Sequence, residues 1–210
     1  MSNSRVPQGR GKIVILSSPS GGGKTSLMLG LMKRHKRDGW EFSVSVTTRP
    51  KRPNERDGRE YYFRTREEFA MMRQQGRFVE SCRVHGHLYG TPREPIERVH
   101  KSGGVILLDV DVKGAFKIKR AFPQAVSIFI LPPSKVELRK RLKARGTETR
   151  EQLAIRLDRS IAEMKLYKRF DYTVINDDLQ EATNLVDCII QSFQTRTKSL
   201  DFKSIERIIG

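Results

Sequence analysis

The sequence is short of cysteine, of acidic residues and of long apolar runs, and each shortage excludes something. Its two cysteines, Cys82 and Cys188, stand far apart without the dense spacing of a secreted disulfide framework, which predicts reduced thiols. The longest apolar runs, 105–108 and 127–131, fall well short of the ~20 residues that span a bilayer and read as buried strands. The basic N-terminal stretch is followed by an apolar segment, 13–16, too short for the core of a signal peptide. A cytoplasmic chain with no membrane partner is expected. No repeat or low-complexity segment is present.

Acidic residues number 24 against 41 lysines and arginines, a formal charge of +17. Such a field draws in polyanions and opposes compaction by self-repulsion. Nucleic acid and a nucleotide pocket are the two competing reasons for it. The basic residues are spread along most of the chain with no stacking-rich RNA motif between them, so no dedicated nucleic-acid partner is expected and much of the excess reads as solvated surface.

What is present fits one globular domain: 210 residues, 37% hydrophobic and 31% charged, enough for a sizeable core. Residues 13–16 run into a Gly/Ser/Pro cluster, and 25–36 then place Leu27, Leu31 and Met32 at helical spacing, a strand, loop and helix in order. Further buried strands are predicted at 105–110, at 125–131 before Pro132-Pro133, and at 174–175. Short apolar strands separated by helical stretches imply βαβ units, hence an α/β fold with a parallel sheet core flanked by helices. Between them, 42–46, 61–63 and 77–80 read as short strands with Pro, Asn and Gly turns, a small inserted β-rich lobe. From 134 to 167 the pattern is helical with a break at 146–149, and Ser134 with Glu137 has the form of a capping box. The segment 179–210 reads as helix with Ile189, Ile190 and Phe193 on its apolar side.

The strongest local signal is Ser18-Pro19-Ser20-Gly21-Gly22-Gly23-Lys24-Thr25, lying between a strand and a helix as a phosphate-binding P-loop should. Its glycines let backbone N–H groups turn toward phosphate oxygens, and the helix start adds partial positive charge. Lys24 would reach the terminal phosphates and Thr25 would offer a hydroxyl to Mg²⁺. Ser18 stands where the general pattern has Gly. The loop names a phosphate-handling superfamily and no substrate.

At Phe42-Ser43-Val44-Ser45-Val46-Thr47-Thr48-Arg49-Pro50-Lys51-Arg52 and Gly58-Arg59-Glu60-Tyr61-Tyr62-Phe63 the chain closely resembles the guanylate kinases. The likeness resumes at Phe78-Val79-Glu80, Tyr89-Gly90-Thr91, Leu108-Asp109-Val110-Asp111, Arg145-Gly146-Thr147 and Val174-Ile175-Asn176-Asp177-Asp178, so that it covers nearly all of 11–190. The resemblance implies a P-loop kinase fold, one domain over 1–210 with its core at 11–41, 92–133 and 168–210, a GMP-binding lobe at 42–91 and a helical lid at 134–167. It implies transfer of the terminal phosphoryl group of ATP to GMP, and also to dGMP, with Mg²⁺ bound alongside ATP.

The same resemblance assigns residues. Arg49, Arg52, Tyr61 and Tyr89 would hold the GMP phosphate, suited to it as planar charged forks and directed phenol donors. Read alone, 49–52 could equally be a solvated basic turn. Glu80 would read guanine, with Ser45 and Thr91 completing the base pocket, because an ionised carboxylate accepts from the N1–H and amino donors that guanine presents. By itself Glu80 is a surface acid at a strand end. Asp109 and Asp111 follow an apolar strand at the ligand side of the sheet and would help place Mg²⁺ and GMP, or else cap the next turn. Arg141, Arg145 and Arg156 would close over the transferring phosphates, although any one of them alone reads as a salt-bridged surface residue. Asn176 and Asp177 are expected near the adenine. Cys82, His85 and His87 are closely spaced but lack an obvious fourth metal ligand, and Gly86 marks a hairpin turn there. A catalytically dead phosphopeptide-binding module and a kinase for another phosphorylated acceptor are the alternatives, and the oligomeric state is open. Val46 has no chemical assignment.

Overall fold

The computed structural model describes residues 11–84, 86–144 and 150–194. Its first strand, β1 (Lys12–Ser17), is buried at every position. Alternation sends Val14 and Leu16 to one face and Ile13 and Ile15 to the other. Two apolar layers result, one on each side of the sheet. Helix α1 (Lys24–Arg34) packs Leu27 and Leu31 into the first layer. Burying one such side chain is worth roughly 1.5–3 kcal/mol.

Strand β2 (Trp40–Ser43) is followed by β3 (Val46–Thr47) and β4 (Tyr62–Phe63), then by α2 (Arg66–Gln74), β5 (Phe78–Val84) and β6 (His87–Pro92). After α3 (Arg93–Ser102) come β7 (Val105–Asp109), α4 (Val112–Ala121), β8 (Val126–Leu131), α5 (Lys135–Lys143), α6 (Arg150–Met164), β9 (Tyr172–Ile175) and α7 (Leu179–Gln194). The main sheet has the order β2-β7-β1-β8-β9 and every pairing in it is parallel. Ile96 and Val99 of α3 and Ala115 and Ile118 of α4 cover one face, while Leu27 and Leu31 of α1 and Val186 and Ile190 of α7 cover the other. The α/β fold with its helix-flanked parallel sheet is the one expected.

A second sheet of four strands, β4-β3-β6-β5, lies between β2 and β7 in sequence. Its small core is Val46, Phe69 and Phe78, with the two phenyl rings stacked at 4.6 Å. Gly90 lies against that pair: a Cβ there would come within 2.8 Å of the Phe78 ring. Val46 therefore serves packing.

Three local readings differ from expectation. The stretch 42–46 is not one strand, because Trp40–Ser43 pairs with β7 in the main sheet while Val46–Thr47 pairs with β4 and β6 in the smaller one. Stacking of Trp40 on His35 at 3.8 Å ties the first half to the main core. Helix α2 arises inside the stretch read as strands and turns. Thr65 and Glu68 make a complete capping box at its start, but Phe69 is its only buried residue, too little periodicity to read as a helix. At α5, Ser134 accepts from the Glu137 N–H at 3.1 Å, yet Glu137 turns to Arg141 at 2.9 Å, leaving that box half made. The segments 145–149 and 195–210 lie outside the described residues, and among those described no helix is long and apolar enough to cross a membrane.

Candidate active site

The phosphate loop connects the C-terminal end of β1 to α1. Gly23 occupies the left-handed region, φ 88°, at the helix start, and no side chain caps the first N–H groups of α1. Its first turn carries no acid. Those donors and the helix dipole suit an anion. Gly22 N donates to Pro19 O at 3.0 Å, and Ser18 Oγ donates to Pro19 O at 3.0 Å. A side chain at Gly23 has no room: its Cβ would fall 2.1 Å from Asn176 Nδ2. That buried amide donates to Gly22 O at 2.9 Å, while the Asn176 backbone N–H donates to Leu131 O at 2.7 Å. Asn176 is thus a brace under the loop. Asp177 is exposed.

Lys24 opens α1 and reaches across to the end of β7, donating to Val110 O at 2.8 Å and ion-pairing with Asp109. Thr25, next on α1, is exposed. Asp111 is the N-cap of α4, accepting from Gly114 N at 2.7 Å. The capping reading of this acid is what the backbone shows. Asp109, two residues earlier, faces the loop instead.

Across the cleft the smaller sheet gathers Arg49, Tyr61 and Tyr89. The Arg49 guanidinium stands 5.4 Å from the Tyr61 ring centre, and the two phenol rings meet edge to face at 5.8 Å. Burial, with Asp109 and Tyr89 adding to it, pushes the Tyr61 phenol up to about 12, so it stays a hydrogen-bond donor at neutral pH. Arg49 donates to Glu55 at 2.7 Å and to Pro50 O at 2.8 Å. Arg52 enters differently. Its backbone N–H donates to Glu55 at 2.9 Å and its side chain is exposed.

Glu80 is not the surface acid its local sequence suggests, being only 7% exposed. The β5–β6 register pairs it with Thr91, whose hydroxyl donates to Glu80 Oε1 at 2.8 Å. Oε2 is buried with no hydrogen-bond partner among the described residues. Burial raises its carboxyl above the usual value; Thr91 and Lys117 oppose this and Asp111 adds to it. A buried acceptor without a partner among the described residues is a costly group to retain, and a ligand bearing N–H donors would satisfy it. Ser45 is half-buried, its carbonyl accepting from Tyr62 N at 2.9 Å.

From the helical segment, Arg141 donates to Asn176 O at 3.1 Å, and Arg156 donates to Ser20 Oγ from two nitrogens at 3.0 and 2.8 Å. Both basic groups therefore stand at the phosphate loop. Arg145 lies outside the described residues, as does His85.

Comparison with known proteins gives this arrangement a family. The sequence model of the family described as Guanylate kinase matches residues 10–193. The chain belongs to the guanylate kinase family. It is 42% identical over 199 residues to the guanylate kinase of Thermotoga maritima, covering 94% of each chain. To that of Escherichia coli K12 it is 42% identical over 187 residues, 89% of this chain and 90% of the relative. A crystal structure of guanylate kinase from Anaplasma phagocytophilum superposes with a TM-score of 0.77 at 34% identity, covering 92% of this chain and 91% of that one.

Within the site, sequence reasoning passed over Glu55 and Thr47. Glu55 holds both the Arg49 fork and the Arg52 backbone, and an acid three residues after Arg52 was the available signal. Thr47 accepts from the Arg49 N–H at 3.1 Å and donates to Leu88 O at 3.0 Å, fixing where the Arg49 turn begins.

Proposed function

We propose that the chain transfers the terminal phosphoryl group of ATP to GMP, and to dGMP, yielding ADP and GDP. The observation that carries this reading is Asp109. It ion-pairs with Lys24 of the phosphate loop, and its charge also acts on Tyr61 of the arginine and tyrosine cluster. A donor-phosphate site and an acceptor-phosphate site are thereby brought to one carboxylate.

In this reading Arg49, Arg52, Tyr61 and Tyr89 hold the GMP phosphate, and Glu80 with Thr91 and Ser45 receives the guanine edge. The loop 18–25 cradles the ATP phosphates. Lys24 exchanges its hold on Asp109 for phosphate oxygens, and Arg141, Arg145 and Arg156 place positive charge where it is needed as the phosphoryl group moves. Asn176 keeps the loop in shape and Asp111 fixes the start of α4. The lobe at 42–91 and the lid at 134–167 close over the two nucleotides and exclude water as a competing acceptor. No covalent enzyme intermediate is needed, since a GMP phosphate oxygen attacks the γ-phosphorus directly and positioning supplies most of the acceleration.

Thr25 and Asp109 present only oxygen atoms, the donor chemistry that Mg²⁺ takes. When bound with ATP, Mg²⁺ supplies charge to the phosphate oxygens; Thr25 and Asp109 are the residues that would hold it. A phosphopeptide-binding module is disfavoured by the intact loop lysine and by Arg141 and Arg156 at that loop. The test is ADP release from ATP in the presence of GMP, dGMP, AMP, CMP or UMP. Release with GMP and dGMP supports the reading, and release with none of the five overturns it.

A further inference from the structure

Glu80 belongs to the smaller sheet, but a helix of the core is packed against it. Strand β5 is the edge of that sheet, and the register of its pairing with β6 shifts between Phe78 and Glu80, an irregularity of the kind that re-aims a side chain. From there the strand runs along α4. Val79 packs on the apolar layer that α4 helps to build. The Lys117 ammonium of α4 donates to Ser81 O at 2.8 Å. Gly114, three residues before Lys117, lies beside the Glu80 carboxylate: a Cβ there would fall 3.3 Å from Glu80 Cδ and 3.1 Å from Asp111 Oδ1. Two residues spaced i and i+3 on one helix face thus meet two consecutive residues of the strand.

Neither residue has a reason of its own in α4. Gly114 is buried and its backbone does not occupy the left-handed region, so the helix itself would be better served by alanine. What a side chain would meet there is the pair of carboxylates. Lys117 is exposed, yet its charge ends on a carbonyl of the other sheet instead of in water. The charges facing Glu80 come from the start of α4: burial raises the carboxyl, the Thr91 hydroxyl opposes this, Asp111 adds to it and Lys117 opposes it. Cys82, two residues on, is pushed up to about 12, by burial first and then by Asp111 and Glu80, against Lys117 and Lys113. It stays an uncharged thiol.

We propose that the face of α4 made by Gly114 and Lys117 positions Glu80 for guanine: Lys117 ties β5 to the core at the next residue, and the missing side chain at 114 lets the carboxylate settle against the helix start. Both residues act through Glu80, so the effect is directed at GMP and spares ATP. The proposal rests on assigning guanine to Glu80.

The test uses the full chain with Lys117→Met, Lys117→Arg and Gly114→Ala, measuring KM for each nucleotide at saturating concentration of the other and kcat/KM for GMP against pH, with thermal melting by circular dichroism. Lys117→Met keeps the aliphatic stem and loses donor and charge. It should raise KM for GMP by about fivefold, leave KM for ATP within about twofold, and move the acid limb for GMP to higher pH, because a cation that favours the ionised carboxylate is gone. Lys117→Arg keeps donor and charge and should return both readings to within about twofold of wild type. Gly114→Ala should raise KM for GMP by about threefold or more without lowering the melting temperature, since alanine suits the helix. In a Glu80→Ala background Lys117→Met and Gly114→Ala should each add less than about twofold. Unchanged KM for GMP in either folded variant overturns the proposal. So does an equal rise for both nucleotides, an acid limb that does not move in Lys117→Met, or a full effect that persists without Glu80. If one variant fails to fold the other decides by the same criteria, and failure of both would make the face merely structural and overturn it. Wild-type turnover with GMP and the GMP-to-AMP ratio of Glu80→Ala read the assignment of guanine separately, so the two failures are distinguishable.

Discussion

At Glu80 a carboxylate is kept where water cannot solvate it, with one oxygen on Thr91 and the other without a partner among the described residues. Guanine offers two adjacent donors to such a group and adenine does not, so the side chain converts burial into selectivity. Glu80→Ala should lower kcat/KM for GMP by about tenfold or more, leave AMP nearly unchanged, and leave KM for ATP alone. An unaltered GMP-to-AMP ratio would show that guanine is read elsewhere. The raised carboxyl also has a pH signature. As pH falls through a value above the usual 4.5, Glu80 takes up a proton and loses an acceptor, so kcat/KM for GMP should show an acid limb that the alanine variant lacks. The sign for stability is the opposite. A carboxyl raised in the folded state favours folding while protonated, and that contribution is lost as pH rises through its folded pKa. Arg49 separates the two substrates in the same way. Its fork is held by Glu55 at 2.7 Å, and Arg49→Ala should raise KM for GMP by about tenfold while that for ATP changes less than about threefold. Equal changes for both nucleotides would contradict a two-site division.

The phosphate loop is an element whose shape is set from outside itself. Asn176, at the end of β9, donates into the loop at Gly22 O and leaves no space for a side chain at Gly23. Its own carbonyl receives Arg141. Loop, β9 and α5 therefore meet at one asparagine. Asn176→Ala would leave the buried Gly22 carbonyl unpaired, which costs about 1–3 kcal/mol. It should lower the melting temperature and raise KM for ATP with little change for GMP. An Asn176→Ala variant with normal ATP kinetics would reduce the asparagine to a packing residue. The broken helical segment shows the reverse case. Its start signal was local and correct at Ser134, but Glu137 was drawn off to Arg141, which stands at the loop end of the helix.

Over the whole molecule, α1 and α7 lie on the same face of the main sheet and are joined by a network of ions. Asp187 of α7 accepts from His35 at 2.9 Å and from Arg34 at 2.8 Å, and His35 meets Asp38 at 2.6 Å on its other nitrogen. Burial alone would raise the Asp187 carboxyl, but Arg34 and His35 outweigh it and hold it below the usual 3.8. A depressed carboxyl contributes stability above the unfolded-state value, and that contribution is lost as pH falls through the folded one. Asp187→Asn should therefore melt below wild type near neutral pH, with the gap closing as pH drops past about 3.8 toward the lower folded value. A gap that stays constant with pH would mean that packing, and not charge, carries the difference. Since α1 begins at Lys24, the network also steadies the helix that ends the phosphate loop.

The sequence by itself determined what depends on neighbours along the chain. The short continuous apolar run at 13–16 marked a buried strand, the glycines and Lys24 marked a phosphate loop, and the motif from Phe42 to Arg52 carried the family. Arg49, Tyr61, Tyr89, Glu80, Thr91 and Asp109 could be named before any fold was known. Only the tertiary structure decided what each of them faces. Glu80 became a buried acceptor through its register with Thr91 on the next strand, and Arg49 acquired Glu55 through the folding back of its own turn. Asn176 turned into the loop, and Asp111 took up the capping of α4. The split of 42–46 between two sheets and the clasp of α6 on Ser20 had no local cause at all. Pattern along a chain reports which face of an element is apolar, whereas a carboxylate's solvation and partners are set by residues that arrive from elsewhere. Arg156 and Ser20, 136 positions apart, share a hydrogen bond that no window of sequence contains.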